Sequence, residues 1–473
     1  MSSRHSISTI SRETDWQDQC VTVMGLGSFG GGVAAVRFLA ERGARVRVSD
    51  RKDETALAES LCQLSDLSNV EFQLGRHDWS HFEDADLVVL NPAIRFDDPF
   101  VDQIRQSGIP TSSEIELFWQ LNPARVIGVT GSNGKSTTTS LIHHVLQVAL
   151  ANSDSNQQTW QGGNIGRSLL PHLDEIQTED WVVLELSSFQ LRALNQIKAR
   201  PDVAVVTSFA PNHLDWHGTL EDYRESKQAL LRWQTESDYC VLTAGDEVSR
   251  WPSEARRILT GPGTMIQFGE TRFECGLPVM KLRGKHNRQN ALNAFAAVFA
   301  AMPIDHSEGT PQSLPASALA AFSTFEPLPH RLYPVASAAG RTFYDDSIAT
   351  TPESAVAALS SFGEPVVLLA GGSDKNLDLS ELACAISQCV KAVALLGTMG
   401  PQLDELISKQ NPDLNRFSAE SLETAFEWAV RQSSPGDVVV LSPGCASLDW
   451  FQNFQDRGNQ FAELARAWAE QNR

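Results

Sequence analysis

Short apolar runs alternate with longer stretches of helical pattern along this chain. Residues 21–25, 44–50 and 86–90 are such runs, and the helical pattern after the first of them extends through Arg42. Apolar runs of this length are typical of buried strands, and strands that alternate with helices predict βαβ units in a parallel sheet. The chain is therefore predicted to open with an α/β domain.

The same alternation restarts twice, after Asn122-Pro123 and after the proline-marked segment 326–330. The later strand-like runs are residues 125–129, 181–185, 203–207, 366–370, 392–396 and 437–441, and the later helical patterns are residues 135–150, 220–232 and 285–301. We therefore predict three α/β domains in series. The predicted segments are a flexible tail over 1–19, a Rossmann-like N-terminal domain over 20–122, a central domain with a mainly parallel sheet over 123–328, and a Rossmann-like C-terminal domain over 329–473.

Charge and composition narrow the class of protein. The 473 residues include 38 Lys and Arg against 58 Asp and Glu, for a net charge of −20, which disfavours nucleic acid as a partner. No apolar stretch is long enough to span a membrane, and residues 1–19 lack the apolar core of a signal peptide. The seven cysteines are scattered and form no C-x-x-C pair, as expected of reduced thiols in a cytoplasmic protein.

The most specific motif is Gly131-Ser-Asn-Gly-Lys-Ser-Thr137, which follows an apolar run and opens a helical pattern. Its glycines allow backbone N–H groups to close around phosphate, and the helix N-terminus adds positive potential. Lys135 can reach the terminal phosphates, and a Ser136 or Thr137 hydroxyl can bind Mg²⁺. We therefore predict that the central domain is a P-loop-type ATPase domain, although two residues separate its glycines where four are usual.

A second glycine-rich turn, Gly25-Leu-Gly27-Ser-Phe-Gly30, follows the first predicted strand, and Asp50 ends the next one. This spacing fits a dinucleotide fingerprint, in which the acidic residue binds a ribose hydroxyl. A nicotinamide-dependent dehydrogenase is one interpretation, but it leaves the phosphate loop at Gly131 unexplained. A tight turn without any ligand is another.

Several possible metal ligands follow the strands of the central domain. Glu185 ends a buried-type strand, where a carboxylate near a phosphate loop is a good Mg²⁺ ligand. His213 could hold a second ion together with Glu185, while Asp215 could orient a neighbouring group and His217 is expected to be structural. Lys227, on a predicted helix, reads by itself as a surface lysine.

Taken in order, these residues resemble the Mur ligase family, and most closely its branch that joins D-glutamate to UDP-N-acetylmuramoyl-L-alanine. The resemblance covers residues 21–473. The motifs that carry it are Gly131-Ser-Asn-Gly-Lys-Ser-Thr137, Gly163-Asn-Ile-Gly166, Leu184-Glu-Leu-Ser-Ser-Phe-Gln190, His286-Asn-Arg-Gln-Asn290, Leu328-Pro-His-Arg331, Asp346-Ser347, Ser442-Pro-Gly-Cys-Ala-Ser-Leu-Asp449, Asn453-Phe454 and Arg457-Gly458.

The resemblance implies an ATP-dependent, ADP-forming amide ligase of peptidoglycan precursor synthesis, and so a part in cell-wall biogenesis, cell shape and cell division. The alanyl carboxylate would take the γ-phosphoryl group of ATP, and the amine of glutamate would attack the resulting acyl phosphate. The implied partners are ATP, UDP-N-acetylmuramoyl-L-alanine and glutamate, with two Mg²⁺ ions as cofactors. We expect a cytoplasmic monomer without membrane insertion.

The resemblance also implies roles for single residues. The implied catalytic residues are Lys135, Lys227 and His213. Those implied to bind ATP are Gly131, Ser132, Asn133, Gly134, Lys135, Ser136, Thr137, Asn290, Arg331 and Asp346. Those implied to hold the UDP-linked substrate are Gly27, Ser28, Phe29, Asp50, Arg51, Asn91 and Asn164. The implied metal ligands are Ser136, Glu185, His213 and Lys227, the last as a carbamylated lysine. The implied glutamate contacts are Thr350, Lys375, Ser447 and Phe454.

The sequence departs from the family pattern at two places. Members of this branch usually carry Lys where Ile348 stands and Asn where Thr351 stands, and usually have Ser-Pro-Gly in place of Asn91-Pro-Ala93. The loss of a cation beside an anionic substrate changes the local electrostatics. Addition of L-glutamate, which a variant branch of the family performs, therefore stays an alternative.

Two further classes of protein share some of these features. A sister ligase such as folylpolyglutamate synthase would share the central domain, but the segments 328–331 and 442–457 argue against it. A nucleotide-sensing or scaffold protein without catalysis would be expected to have lost the groups that carry the chemistry. Those groups are all present: Lys135, Glu185, His213 and Lys227.

Overall fold

The computed structural model describes residues 10–27, 30–95, 97–152, 156–166, 168–261, 263–302, 314–374 and 377–472. The chain forms two compact units. The first comprises Met1–Pro278 and Gln289–Phe322, and the second comprises Val279–Arg288 and Ser323–Arg473. Three α/β domains are distributed over these units: the first two lie in the first unit, and the third lies in the second unit.

The first domain is built on a parallel sheet of order β3-β2-β1-β4-β5 in the described residues. The strand order reverses at β1, and the glycine turn follows the carboxyl end of that strand, where open α/β sheets bind ligands. Its elements are β1 Cys20–Met24, α1 Gly31–Glu41, β2 Arg45–Asp50, α2 Ala58–Cys62, β3 Val70–Leu74, β4 Leu87–Leu90, α3 Pro99–Gln106, β5 Thr111–Ser112 and α4 Glu114–Leu121.

The predicted flexible tail is too long. Residues 10–19 pack on the first domain, because Ile10 and Trp16 are buried in its core and the Trp16 ring meets Phe38 edge-on. Arg12 donates hydrogen bonds to the backbone carbonyls of Leu121 and Leu173. Residues 1–9 lie outside the described part of the chain.

The central domain carries a sheet of order β13-β12-β11-β10-β9-β6-β8-β7. Strands β6 to β11 run parallel and β12–β13 add an antiparallel edge, so the predicted mainly parallel sheet is confirmed. The elements are β6 Arg125–Thr130, α5 Lys135–Ala151, β7 Thr159–Gly163, β8 Trp181–Glu185, α6 Ser188–Gln196, β9 Val203–Val206, α7 Leu214–His217, α8 Leu220–Arg232, β10 Tyr239–Thr243, β11 Arg256–Thr260, β12 Met265–Phe268, β13 Thr271–Glu274, α9 Lys285–Ala301 and α10 Ala316–Thr324.

One apolar core joins the first and central domains. Leu39 and Phe118 from the first domain share it with Leu170 and Val182 from the central domain. A polar contact also crosses from one domain to the other, because the Ser168 hydroxyl donates a hydrogen bond to the buried carboxylate of Glu114. Burial of this kind explains why the first two domains form a single compact unit.

The third domain carries a sheet of order β14-β15-β19-β16-β17-β18, in which only the β14–β15 pair is antiparallel among the described residues. Strand β16 is buried along its whole length, as expected of a parallel strand covered on both faces. The elements are β14 Tyr333–Ala338, β15 Arg341–Asp345, α11 Pro352–Leu359, β16 Val366–Gly371, α12 Ser380–Cys389, β17 Val390–Leu396, α13 Gly400–Gln410, β18 Asn415–Ser418, α14 Leu422–Gln432, β19 Val438–Leu441 and α15 Phe454–Gln471.

The division into units differs from the predicted boundary at residue 328. Val279–Arg288 groups with the second unit, because Arg283 forms an ion pair of 2.9 Å with Glu364 and lies over the ring of Tyr344. Lys281 pairs with Glu326 in the same unit. Across the described ranges, no helix combines the length and the apolar character needed to cross a bilayer.

Candidate active site

The phosphate loop lies between β6 and α5, where the sequence predicts it. Gly131 has φ +148°, and a Cβ atom there would come within 2.0 Å of Thr207 Oγ1. Gly134 has φ +83°, and a Cβ atom there would come within 2.3 Å of Asn290 Oδ1. Both positions therefore require glycine, and the loop backbone stays open to a phosphate at the N-terminus of α5.

The segment after β9 braces this loop. Ser132 Oγ donates to the carbonyl of Ala210 at 2.8 Å and accepts from its N–H at 2.9 Å. Asn133 N–H donates to Ser208 Oγ at 3.1 Å, and Tyr223 OH lies 3.1 Å from Ser132 Oγ. Ser208 and Tyr223 are not among the residues predicted from the sequence. Tyr223 precedes Lys227 by four residues, which places both on one helix face and would have been the signal.

Two lysines share one carbonyl of the loop. Lys135 Nζ donates to the carbonyls of Gly131 at 2.9 Å and Ser132 at 3.0 Å, and Lys227 Nζ donates to that of Gly131 at 2.8 Å. Lys227 is only 1% exposed, so its interpretation as a surface lysine is wrong. Burial and the positive charge of Lys135 hold the pKa of Lys227 well below its usual value, against the opposing charge of Glu185.

Glu185 ends β8 and is 2% exposed. Its Oε1 accepts a hydrogen bond of 2.9 Å from Asn164 Nδ2, whereas its buried Oε2 has no hydrogen-bond partner among the described residues. Gly163 lies beside Glu185 in register, and a Cβ atom there would come within 2.3 Å of the Glu185 carbonyl oxygen. An unpaired buried carboxylate oxygen is costly by itself, and it fits an Mg²⁺ ion, which prefers oxygen ligands.

The two histidines of the predicted metal region differ in their surroundings. His213 is exposed, precedes α7 with φ +53°, and has its ring 5.2 Å from that of Phe189. His217 is buried, and both of its ring nitrogens have hydrogen-bond partners, which agrees with a structural role. No three His, Cys, Asp or Glu residues of the described chain are grouped as a ready metal site, and the side chain of Asp215 lies outside the description.

In the first domain, Asp50 closes the glycine turn. Its Oδ2 accepts hydrogen bonds from the N–H groups of Leu26 at 2.8 Å and Gly27 at 3.3 Å, and its Oδ1 accepts one from Lys52 N at 2.9 Å. The carboxylate is thus occupied by backbone donors of its own domain. The contact of Asp50 with a ribose stays a prediction. The contacts of Ser28 and Phe29 with the UDP-linked substrate also stay predictions, because both residues lie outside the described part of the chain.

A cavity of about 540 Å³ lies beside this turn and is lined by Asp50, Arg51 and His77. Arg51 forms an ion pair of 2.8 Å with Asp98 at its edge. Asn91 Nδ2 donates to the carbonyl of Gly25 at 3.1 Å, so the residue that departs from the family pattern supports the turn. His77 is not among the residues predicted from the sequence, because its polar partner, Ser49 Oγ at 2.8 Å, lies 28 residues earlier, on β2.

Asp346 directly follows β15 in the second unit. Its Oδ2 accepts a hydrogen bond of 2.7 Å from Ser442 Oγ and its Oδ1 accepts one of 3.1 Å from Leu332 N. Burial raises the pKa of Asp346 to about 7, although these hydrogen bonds and the charge of Arg331 act in the opposite direction. Asp346 is therefore only partly ionised near neutral pH.

Arg457 holds together the loops predicted to bind glutamate. It is 1% exposed, and its guanidinium donates to the carbonyls of Ser347 at 2.9 Å and Cys445 at 3.2 Å. Ser447 is buried beside Cys445, and the ring of Phe454 meets that of His330 edge-on at 6.0 Å. Arg457 belongs to one of the motifs that carry the family resemblance, but the sequence alone indicates no role for it.

The loop that departs from the family pattern is held by backbone hydrogen bonds. Ile348 N–H donates to the carbonyl of His330 at 3.2 Å, and Thr350 N–H donates to that of Ile348 at 2.7 Å. Both Ile348 and Thr350 are half-buried. Lys375, the remaining predicted glutamate contact, lies outside the described residues.

Three family models match the chain in order along its length. "Mur ligase MurD-like, N-terminal domain" matches residues 19–113, "Mur ligase middle domain" matches residues 129–298, and "Mur ligase, glutamate ligase domain" matches residues 330–445. The middle-domain match contains the phosphate loop, Glu185 and Lys227. The order of these matches is that of the three sheets.

Curated relatives align over nearly the whole chain. A protein of Koribacter versatilis named UDP-N-acetylmuramoylalanine--D-glutamate ligase is 35% identical, with 97% of this chain and 99% of that protein covered. One of the same name from Symbiobacterium thermophilum is 37% identical, with 92% and 95% covered. A solved structure of UDP-N-acetylmuramate-alanine ligase from Thermotoga maritima shares the fold, with a TM-score of 0.59, 20% identity, and 95% and 99% covered.

Proposed function

Because the chain belongs to the Mur ligase family, we propose that it is an ATP-dependent, ADP-forming ligase that joins D-glutamate to UDP-N-acetylmuramoyl-L-alanine. It acts as a cytoplasmic monomer in peptidoglycan precursor synthesis. The observation that carries the proposal is the buried Lys227, which shares the Gly131 carbonyl with Lys135 of the phosphate loop.

The first step is phosphoryl transfer. A carboxylate oxygen of the alanyl group attacks the γ-phosphorus of ATP, the bond to ADP breaks, and an acyl phosphate forms. The backbone N–H groups of residues 131–134 and the N-terminus of α5 hold the phosphates. Lys135 exchanges its present carbonyl partners for phosphate oxygens, which offsets repulsion between the negatively charged reactants.

The second step forms the amide. The amine nitrogen of glutamate attacks the acyl carbon and gives up a proton, and the tetrahedral intermediate expels inorganic phosphate. We assign the glutamate to the second unit, where Thr350, Ser447 and Phe454 lie near the loops that Arg457 holds, with Lys375 as a further contact. Those loops are fixed by buried hydrogen bonds, which supports a pocket of defined shape.

We assign two Mg²⁺ ions to Ser136, Glu185, His213 and Lys227. When bound, they withdraw negative charge from the reacting phosphate oxygens. The unpaired Oε2 of Glu185 supports this assignment, as does the place of Ser136 in the first turn of α5. Asn164 holds the other oxygen of Glu185, so it orients this carboxylate besides contacting the substrate.

Lys227 is the residue whose role changes most under this proposal. Burial favours the neutral amine, and only a neutral amine adds to carbon dioxide. The nitrogen forms a bond to the carbon of CO₂ and loses one proton, which yields a carbamate with a negative charge. Carbamylation thus converts a lysine whose charged form is destabilised by burial into an oxygen ligand for Mg²⁺.

The remaining assignments follow the two substrates. The UDP part lies in the first domain beside Gly27, Asp50, Arg51 and Asn91, and the cavity there supports this placement. The nucleotide of ATP is assigned to Asn290, Arg331 and Asp346. Asn290 lies against Gly134 of the phosphate loop, which supports its assignment.

An isotope experiment tests the acyl phosphate. UDP-N-acetylmuramoyl-L-alanine carrying ¹⁸O in its carboxylate is turned over with ATP, Mg²⁺ and D-glutamate, and the phosphate released is analysed by mass spectrometry. The proposed mechanism places one ¹⁸O in the phosphate, since the attacking oxygen stays with phosphorus. Unlabelled phosphate with an amide product would contradict it, and Lys135→Ala serves as the inactive control.

A further inference from the structure

A chain of four hydrogen-bonded side chains lies behind the predicted metal ligands. His217 Nε2 is 2.9 Å from Ser188 Oγ, and His217 Nδ1 is 2.6 Å from Asp222 Oδ2. Arg192 Nη1 donates to both oxygens of Asp222 at 2.9 Å. The imidazole of His217 is fully buried, so no substrate reaches it and these four side chains do not act as a nucleophilic group.

The hydrogen-bond partners of His217 determine which of its ring nitrogens carries the proton. An Asp222 carboxylate only accepts, so His217 Nδ1 carries the proton, and Nε2 accepts from the Ser188 hydroxyl. An imidazole with hydrogen bonds at both nitrogens holds its two neighbours at a fixed separation.

The backbone connects His217 directly to His213. The carbonyl of His213 accepts hydrogen bonds from His217 N–H at 2.9 Å and from Trp216 N–H at 3.1 Å. Helix α7 has only four residues, no side-chain cap, and a left-handed residue, His213, at its start. So short a helix is not stable by itself. The position of α7 therefore depends on the side-chain hydrogen bonds of His217 at its C-terminal end.

The two partners of His217 lie close in sequence to the other predicted ligands. Ser188 opens α6 three residues after Glu185, and a capping box of Ser187 and Gln190 stiffens this turn. Asp222 lies in the first turn of α8, five residues before Lys227. His217 thus connects the start of α6, which follows Glu185, with α7, which follows His213, and with α8, which carries Lys227.

We propose that His217 is a positioning residue that sets the separation of Glu185, His213 and Lys227, and thereby the affinity of the site for divalent metal. This inference rests on the proposed function, which places the metal on those three side chains. A role in packing alone is the competing explanation, because the His217 ring also stacks on that of Phe189 at 5.5 Å.

The test uses metal binding as well as activity. Mn²⁺ is titrated into the full-length protein with a non-hydrolysable ATP analogue, and free Mn²⁺ is followed by electron paramagnetic resonance. His217→Leu removes both hydrogen bonds and retains bulk, His217→Asn retains a donor toward Asp222, and Ser188→Ala removes only the bond to Nε2. His143→Leu is the matched control, since His143 is another partly buried imidazole of the domain, bonded to Thr159 Oγ1 at 3.1 Å.

We expect His217→Leu to weaken Mn²⁺ binding about tenfold or more, as loss of groups that orient metal ligands commonly does, with the KM for UDP-N-acetylmuramoyl-L-alanine unchanged. His217→Asn recovers part of this loss, Ser188→Ala shows a smaller one, and His143→Leu shows none. The half-maximal Mg²⁺ concentration for phosphate release moves in parallel.

Unchanged Mn²⁺ affinity in folded His217→Leu, with only a lower melting temperature, would leave packing as the sole role and overturn the inference. If that variant does not fold, Ser188→Ala decides the question, and wild-type affinity in it has the same meaning. A wild-type protein that binds no Mn²⁺ beside the ATP analogue would instead refute the proposed metal site itself.

Discussion

Glu114 makes the stability of the first unit depend on pH. It is the first residue of α4, is 9% exposed, and accepts a hydrogen bond from Ser168 of the central domain. Burial raises the pKa of Glu114 from 4.5 to about 7, against that hydrogen bond. The folded protein therefore binds more protons than the unfolded chain between these values, so stability falls as pH rises through this window.

The magnitude follows from the two pKa values. At about 1.4 kcal/mol for each pH unit, Glu114 accounts for about 3 kcal/mol across the full window, of which about 2 kcal/mol lies between pH 5.5 and 8. Glu114→Gln is neutral at every pH and still accepts the Ser168 hydrogen bond. The variant is therefore expected to gain stability over the wild type as pH rises.

Urea unfolding at pH 5.5 to 8, followed by tryptophan fluorescence, measures this difference. We expect the free energy of unfolding of Glu114→Gln, relative to wild type, to rise by about 2 kcal/mol over the range. Glu59→Gln, at an exposed position of the same domain, is the control and shows no such slope. A difference between Glu114→Gln and wild type that does not change with pH would refute the reasoning.

The remaining predictions concern the active site and the second unit. Lys227→Arg is expected to abolish turnover while ATP still binds, because a guanidinium cannot form the carbamate; steady-state kinetics and calorimetric ATP titration check this. Gly134→Ala is expected to raise the KM for ATP, because its Cβ would come within 2.3 Å of Asn290 Oδ1 and because alanine in a left-handed conformation costs about 1 kcal/mol. Gly166→Ala is the control for backbone strain alone, since Gly166 also has a positive φ but a Cβ there would meet no atom within 4 Å. Arg457→Met is expected to destabilise the second unit by about 3 kcal/mol, because the Ser347 and Cys445 carbonyls lose buried donors; calorimetry of the unfolding transition measures it.

The strands were predictable because of where they lie. A parallel strand covered on both faces is apolar throughout, and β16 and β19, buried along their whole length, match the predicted runs 366–370 and 437–441 closely. The phosphate loop was predictable for a related reason, since its glycines are required by local backbone geometry at Gly131 and Gly134. Local pattern suffices where the physical cause is local.

The features that local sequence pattern does not indicate depend on partners far away in the chain. By pattern alone Lys227 reads as a surface lysine, and only the family resemblance implies a role for it, because its carbonyl partner, Gly131, lies 96 residues earlier. Trp16 falls within the predicted flexible tail, yet its ring packs on that of Phe38. Arg457 bonds to Ser347, which lies 110 residues before it. The spacing of apolar and polar residues does not indicate contacts between such distant residues, so only the folded structure shows them.

The central claim is tested most directly by phosphate release from ATP. Purified protein, Mg²⁺ and UDP-N-acetylmuramoyl-L-alanine are combined with D-glutamate or L-glutamate in parallel, and the products are weighed by mass spectrometry. The account predicts release that depends on D-glutamate, with a product heavier by one glutamate residue. Release that depends on L-glutamate would reassign the pocket around Ile348, and no release with either amino acid would contradict the proposed function.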